Sequence, residues 1–136
     1  MVNLEGFKAD RYKGVIEEVT EMPLKEFLET EEKIEKFKEG MTLFPSHLKT
    51  KEQKQTYKDA RMDATVLVIN YSITVEDKKK GNSEFFNIPT ITGWGRSKLR
   101  TLQTLNNLPN KTDEWIGKDA WIYINKEGYL RLLPDE

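Results

Sequence analysis

Residues 63–76, DATVLVINYSITVE, alternate: Leu67, Ile69, Tyr71, Ile73 and Val75 share one face, and Asn70, Ser72 and Thr74 take the other. Period-two alternation of this kind predicts a half-buried strand. Residues 11–21, RYKGVIEEVTE, place β-branched residues around a glycine and predict a first strand with a bulge or sharp bend at Gly14. Between the two, Leu24, Phe27, Leu28, Ile34 and Phe37 recur at near-helical spacing. Pro23 suits the first helical position and Gly40 a left-handed stop, so a single helix is expected over this stretch. Residues 41–62 are less periodic and predict a loop with a short helix. After the turn DKKKGNS, the segment SEFFNIPTITGW predicts the second arm of a hairpin, with Phe86 and Ile88 inward and Phe85 and Asn87 outward. Pro89 cannot donate to a ladder, which implies a bulge or an edge there.

From Arg96 to Leu108 the apolar positions Leu99, Leu102, Leu105 and Leu108 come every three residues, predicting a helix that Ser97 can cap. The loop PNKTDEWIGK follows. DAWIYIN and GYLRLLP then predict two short strands joined by the tight KEG turn. On this last hairpin Ala120, Ile122, Ile124, Leu130 and Leu132 face inward, which turns Trp121, Tyr123, Tyr129 and Arg131 outward.

The fold expected is therefore mainly β with helices. Five strands, a helix between strands 3 and 4 and a helical insertion (residues 22–62) between strands 1 and 2 follow the order of an OB-fold-like Greek-key barrel. The block SKLRTLQTLNNLP, TDEWIGKDAWIYI, GYLRLLP resembles the C-terminal half of small phage-type and archaeal single-stranded DNA-binding OB proteins. In that family a helix precedes a D-E-W-I-G-K-like turn, the fourth strand follows, and the last strand carries an apolar-Arg-apolar step. The resemblance covers residues 64–134, about half the chain. It implies a viral or archaeal DNA-binding protein acting in replication, recombination or repair. Within the DEWIGK turn, Trp115 and Ile116 are expected to plug the barrel and Gly117 to admit the chain into the next strand. The insertion departs from a minimal barrel, and three roles are open to it: holding nucleic acid, binding a partner or covering a sheet face.

A length of 136 residues fits one domain, spanning 1–136 with 22–62 inserted. At 37% hydrophobic and 33% charged the chain is polar, yet three Trp, six Phe and five Tyr argue for a folded core. There is no cysteine, which excludes disulfides, thiolate metal sites and a cysteine nucleophile. Neither a signal-like apolar run at the start nor a stretch of about 20 apolar residues occurs, so a soluble cytoplasmic protein, in the host cytoplasm if viral, with no membrane partner is expected. The net charge of -1 hides a segregation. Residues 1–46 hold 7 basic and 11 acidic residues, residues 47–111 hold 12 and 6, and residues 112–136 hold 3 and 6. The basic centre is what a nucleic-acid groove leaves in a sequence, and equally what a solvated face leaves.

Enzymatic chemistry finds no support. His47 is the single histidine and stands in PSHLK, which matches no nucleophile motif, so it reads as a surface loop residue. Glu17 with Glu18 and Glu31 with Glu32 lack metal-binding spacing, and no phosphate loop occurs, so no metal or cofactor is expected. The candidates are for binding single-stranded nucleic acid without catalysis and with little sequence preference. They are Trp94, Arg96, Lys98 and Arg100 in GWGRSKLR; Phe85 and Asn87 on the third strand; Trp121, Tyr123 and Arg131 on the last hairpin; and Lys58 and Arg61 in the insertion. On a continuous helix Arg96 and Arg100 would share a face and Lys98 would point away. Trp94 reads equally as a plug at the barrel end, and the hairpin aromatics read sooner as rings packed under the inserted helix of residues 23–39 than as an open platform. Lys78, Lys79 and Lys80 read as the hairpin tip. The alternative function is a protein-interaction subunit that self-associates or joins a replication assembly.

Overall fold

The computed structural model describes residues 11–90 and 93–134. Within them the chain forms two compact units, one from residues 11–20, 67–90 and 93–134 and the other from residues 21–66. The divisions fall inside β1 (Arg11–Pro23) and β2 (Thr65–Val75). No helix among the described residues is long and apolar enough to cross a membrane.

The larger unit is built on a five-stranded antiparallel sheet in the order β3-β2-β1-β4-β5, with β3 (Lys78–Asn87), β4 (Asp119–Ile124) and β5 (Leu130–Arg131) completing it. The far edges, β3 and β5, come back together, so the sheet curls into a nearly closed barrel consistent with an OB-like one. Ile16, Leu67, Ile69, Tyr71, Ile73, Phe86, Ala120, Ile122 and Leu132 fill it, and Leu99, Leu102, Leu108 and Trp115 join the same cluster. Gly14 faces Ala120 across the β1–β4 pair. A Cβ on Gly14 would lie 2.5 Å from both the Ile122 side chain and the Ser72 carbonyl oxygen, so the glycine is there for close approach of strands. β2 is buried on both faces from Val66 to Ile69, and Ser72 is buried as well, so the polar outer face expected of it holds only in part.

The hairpin turn is shorter than the sequence suggests. Glu76 and Asp77, both at positive φ, make a two-residue turn, and Lys78, Lys79 and Lys80 lie within β3 instead of at its tip. Positive φ at both central positions matches the twist of the flanking strands. Lys79 reaches back to the Glu17 carboxylate at 2.9 Å, and the Ser72 hydroxyl and this ammonium hold Glu17 below the usual carboxylate range. β3 ends at Asn87, before Pro89, and Ile88, expected inside, is 44% exposed. The expected continuation through Ile91 and Thr92 lies outside the described residues.

A single 3-10 turn, Trp94–Arg96, precedes helix α4 (Lys98–Asn106). The three-residue leucine period drifts by about 60° per step against a 3.6-residue turn. Leu99 and Leu102 are accordingly buried, while Leu105 rotates out to 41% exposure. Asn107 takes the left-handed conformation and lets Leu108 fold back under the helix, its amide bonded to the Gln103 carbonyl. Trp115 is 1% exposed and donates its indole N–H to the Pro109 carbonyl at 2.7 Å. Its neighbour Ile116 is half exposed and plugs nothing, whereas Gly117, at φ +84, makes the turn into β4. β5 is two residues long, shorter than GYLRLLP implied.

The smaller unit holds α1 (Leu24–Leu28), α2 (Glu31–Gly40) and α3 (Lys51–Asp63). One helix was expected from Pro23 to Gly40, but it breaks at Glu29, whose φ is +69, and restarts where the Thr30 hydroxyl accepts from the Lys33 amide. A threonine that can cap a new helix competes with continuing the old one. Gly40 closes α2 without adopting a left-handed conformation. Residues 51–63, expected as mostly loop, form a 13-residue helix, because Thr50 and Gln53 make a reciprocal capping box. Lys25 pairs with Asp63 at 2.8 Å and Lys38 with Asp59 at 3.0 Å, tying α1 and α2 to α3. Phe44, in the loop before α3, meets Tyr57 edge-on at 5.8 Å.

Candidate nucleic-acid interface

The strand register settles which outward residues of the barrel are neighbours. In an antiparallel pair, residues directly opposite point to the same side. Arg11 faces Tyr123, Lys13 faces Trp121, and Tyr123 faces Arg131, so these five side chains occupy one outer face of β1, β4 and β5. Arg11 lies over the Trp121 ring at 4.2 Å and Arg131 over the Tyr129 ring at 5.8 Å, geometries in which a cation is attracted to the face of the π system. Trp121 and Tyr123 are half-buried and Tyr129 is 59% exposed. Lys13 makes an exposed pair with Asp119 at 3.5 Å.

Beside this strip lies an open cleft of about 850 Å³. The end of β3, the start of α4 and the segment after β5 make its walls, and it gathers Phe85, Asn87, Lys98 and Arg131 with Ser97, Thr101 and Leu133. Arg131 belongs to both surfaces. Its guanidinium donates to the Leu130 carbonyl at 3.1 Å, and the residue as a whole is half-buried. A cleft with a phenylalanine on one wall and cations on two others can seat a planar ring and a neighbouring anion together.

The seam between β3 and β5 sets the cleft's position, and side chains close it. The buried Tyr71 hydroxyl donates to the Glu84 carboxylate, which also accepts the Leu132 amide at 2.7 Å. Asn82 donates its amide to the Leu130 carbonyl at 2.9 Å. Burial and the adjacent Glu84 carboxylate push the Tyr71 hydroxyl far above its ordinary pKa. Desolvation disfavours the phenolate most, followed by the hydrogen bond that the neutral hydroxyl donates to Glu84 and by like-charge repulsion.

Eleven residues were candidates. Phe85, Asn87, Lys98 and Arg131 come together at the cleft, and Trp121 and Tyr123 stand with Arg131 on the strip. Trp94 packs half-buried against the core cluster, and its carbonyl accepts both the amide and the hydroxyl of Ser97. Arg96 and Arg100 are exposed, but they do not share a helix face in the expected way. α4 begins at Lys98, so Arg96 sits in the preceding 3-10 turn and the four-residue spacing carries no helical meaning. Lys98, expected to point away, lines the cleft. Lys58 and Arg61 lie on α3 in the smaller unit. Arg11 and Lys13 were missed, because nothing in RYKG says which later strand it pairs with; the alternation of 11 and 13 against 121 and 123 was the available signal. Among the described residues no group of three or more His, Asp or Glu side chains converges as metal ligands would. Compared with models of protein families, with curated proteins and with solved structures, the chain matches none.

Proposed function

We propose that this protein is a non-enzymatic OB-fold module that binds single-stranded DNA with little sequence preference, in replication, recombination or repair. The observation that carries the reading is the convergence of Phe85, Asn87, Lys98 and Arg131 on one open cleft, from three separate segments. Bases stack on exposed aromatic rings for roughly 1–3 kcal/mol each whatever their identity, and arginine and lysine neutralise the backbone between them. The strip of Arg11, Lys13, Trp121 and Tyr123 extends the same chemistry along the barrel. An order of strands in which β1 sits between β2 and β4, with β3 returning to β5, suits a small five-stranded barrel of the oligonucleotide-binding kind.

The test is titration with oligo(dT) at low salt, followed by tryptophan emission. Wild-type protein should show saturable quenching. The Lys98→Ala/Arg131→Ala double variant should bind roughly tenfold more weakly or worse, since each charged contact contributes on the order of 1 kcal/mol, while its urea midpoint stays close to wild type. A wild-type protein that leaves the oligonucleotide unbound at low salt would sink the proposal and leave partner docking as the better account of the strip.

A further inference from the structure

The smaller unit carries a basic surface of its own. At 3.6 residues per turn, Lys51, Lys54, Lys58 and Arg61 fall within about 80° of arc on α3, and Glu52, Asp59 and Asp63 fall on the opposite side. Two of those three acids are already engaged, Asp59 with Lys38 and Asp63 with Lys25. The helix thus spends its negative side on lysines of α1 and α2, whereas its own lysines, Lys51 exposed and Lys54 and Lys58 half-buried, stay outside those pairs. Among the described residues, none of Lys51, Lys54 and Lys58 is in an ion pair.

Phe44 concentrates this charge. The Lys54 and Lys58 ammonium groups lie 5.6 and 5.8 Å from the centre of its ring. Two like charges four residues apart on a helix repel, and holding both against one ring keeps them from spreading apart. An anion placed between them removes that repulsion and gains both attractions. The surface is a row, covering about 15 Å of helix axis from residue 51 to residue 61, so it fits a polyanion better than a single ion.

We infer that this face of α3 is a second phosphate-binding surface, taking the sugar-phosphate backbone of single-stranded nucleic acid through Lys51, Lys54 and Lys58. The inference rests on the proposed function and adds a contact separate from the barrel's. It also predicts a different signature. All three tryptophans, Trp94, Trp115 and Trp121, belong to the barrel unit, so contacts on α3 change affinity and its salt dependence without changing the quench at saturation.

The experiment compares wild type with Lys51→Ala/Lys54→Ala/Lys58→Ala and with the corresponding triple arginine variant, using the full chain and a long oligo(dT). Three lost phosphate contacts should reduce the slope of log affinity against log salt by about 2, at roughly 0.7 per contact on a single strand. The tryptophan quench at saturation should remain, and the arginine variant should restore the slope. An alanine variant with wild-type affinity and slope overturns the inference and leaves the barrel site standing; a wild type that does not bind overturns both. Poly-glutamate that competes as well as oligo(dT) for the wild type, but not for the alanine variant, would reassign the surface to acidic protein segments and overturn it too.

Discussion

Tyr71 carries two roles that a sequence pattern merges into one. The alternation of β2 places its ring in the core, where it is 1% exposed, and burial there requires a partner for the hydroxyl. Glu84 supplies it, and the same carboxylate receives the Leu132 amide. The ring's position was legible from Leu67, Ile69 and Ile73 around it; the partner was not, because Glu84 stands 13 residues on, in the next strand, and alternation within β2 does not say what lies opposite it. Replacing Tyr71 with Phe should cost about 1–3 kcal/mol near neutral pH, mainly through the unsatisfied acceptors left behind. The pH dependence has a definite sign. The folded hydroxyl holds its proton far above the ordinary value near 10, so the native state keeps a proton that the unfolded chain loses. This contribution is complete below about pH 10 and is lost as pH rises beyond it. Denaturant midpoints for wild type and Tyr71→Phe should therefore converge above pH 10, and a gap that stays constant there would contradict the linkage.

At the scale of elements, capping chemistry decided what apolar spacing could not. α3 was obscured because its helical face is mostly lysine, yet T-K-E-Q at residues 50–53 is a capping box that fixes its start. Thr30 likewise divides α1 from α2 within a stretch whose apolar spacing reads as continuous. Strands were more legible than helix ends, since alternation is set by the core they line. Ser97 shows how a cap can serve a site. Its hydroxyl accepts the Arg100 amide at 3.1 Å and donates to the Trp94 carbonyl at 2.9 Å, joining the 3-10 turn to α4 and placing Lys98 at the cleft wall. Ser97→Ala should lower stability by about 1 kcal/mol in urea unfolding. It should also weaken oligonucleotide binding by more than that stability change explains, because the first turn of α4 loses its anchor.

For the whole molecule, net charge is a poor guide and its distribution a good one. The acidic first 46 residues and acidic last 25 bring the total to -1, yet the residues between them carry 12 basic against 6 acidic groups. That segment includes Lys98 in the cleft and the lysine row of α3. Screening acts on local charge, so binding should fall steeply with ionic strength despite the near-neutral total. Affinity measured between 50 and 200 mM salt tests this, and a flat dependence would place the interaction on stacking alone. Sequence patterns conveyed the strand order and the outward direction of Trp121, Tyr123 and Arg131. They could not convey which strand edges meet, since a cleft wall shared by residues 85, 98 and 131 exists only once the barrel has closed.

That closure is itself unusual in its means. Where β3 meets β5, Tyr71, Asn82 and Glu84 bridge the gap beside a strand of only two residues. A long ladder opens gradually from its ends, whereas a few side-chain clasps release together. The Leu132 amide, guarded by one carboxylate, is then expected to exchange its hydrogen through a local opening well below the cost of unfolding the barrel. Such an opening would let Arg131 and Phe85 move apart, so the side-chain clasps of Tyr71, Asn82 and Glu84 also bear on the width of the cleft.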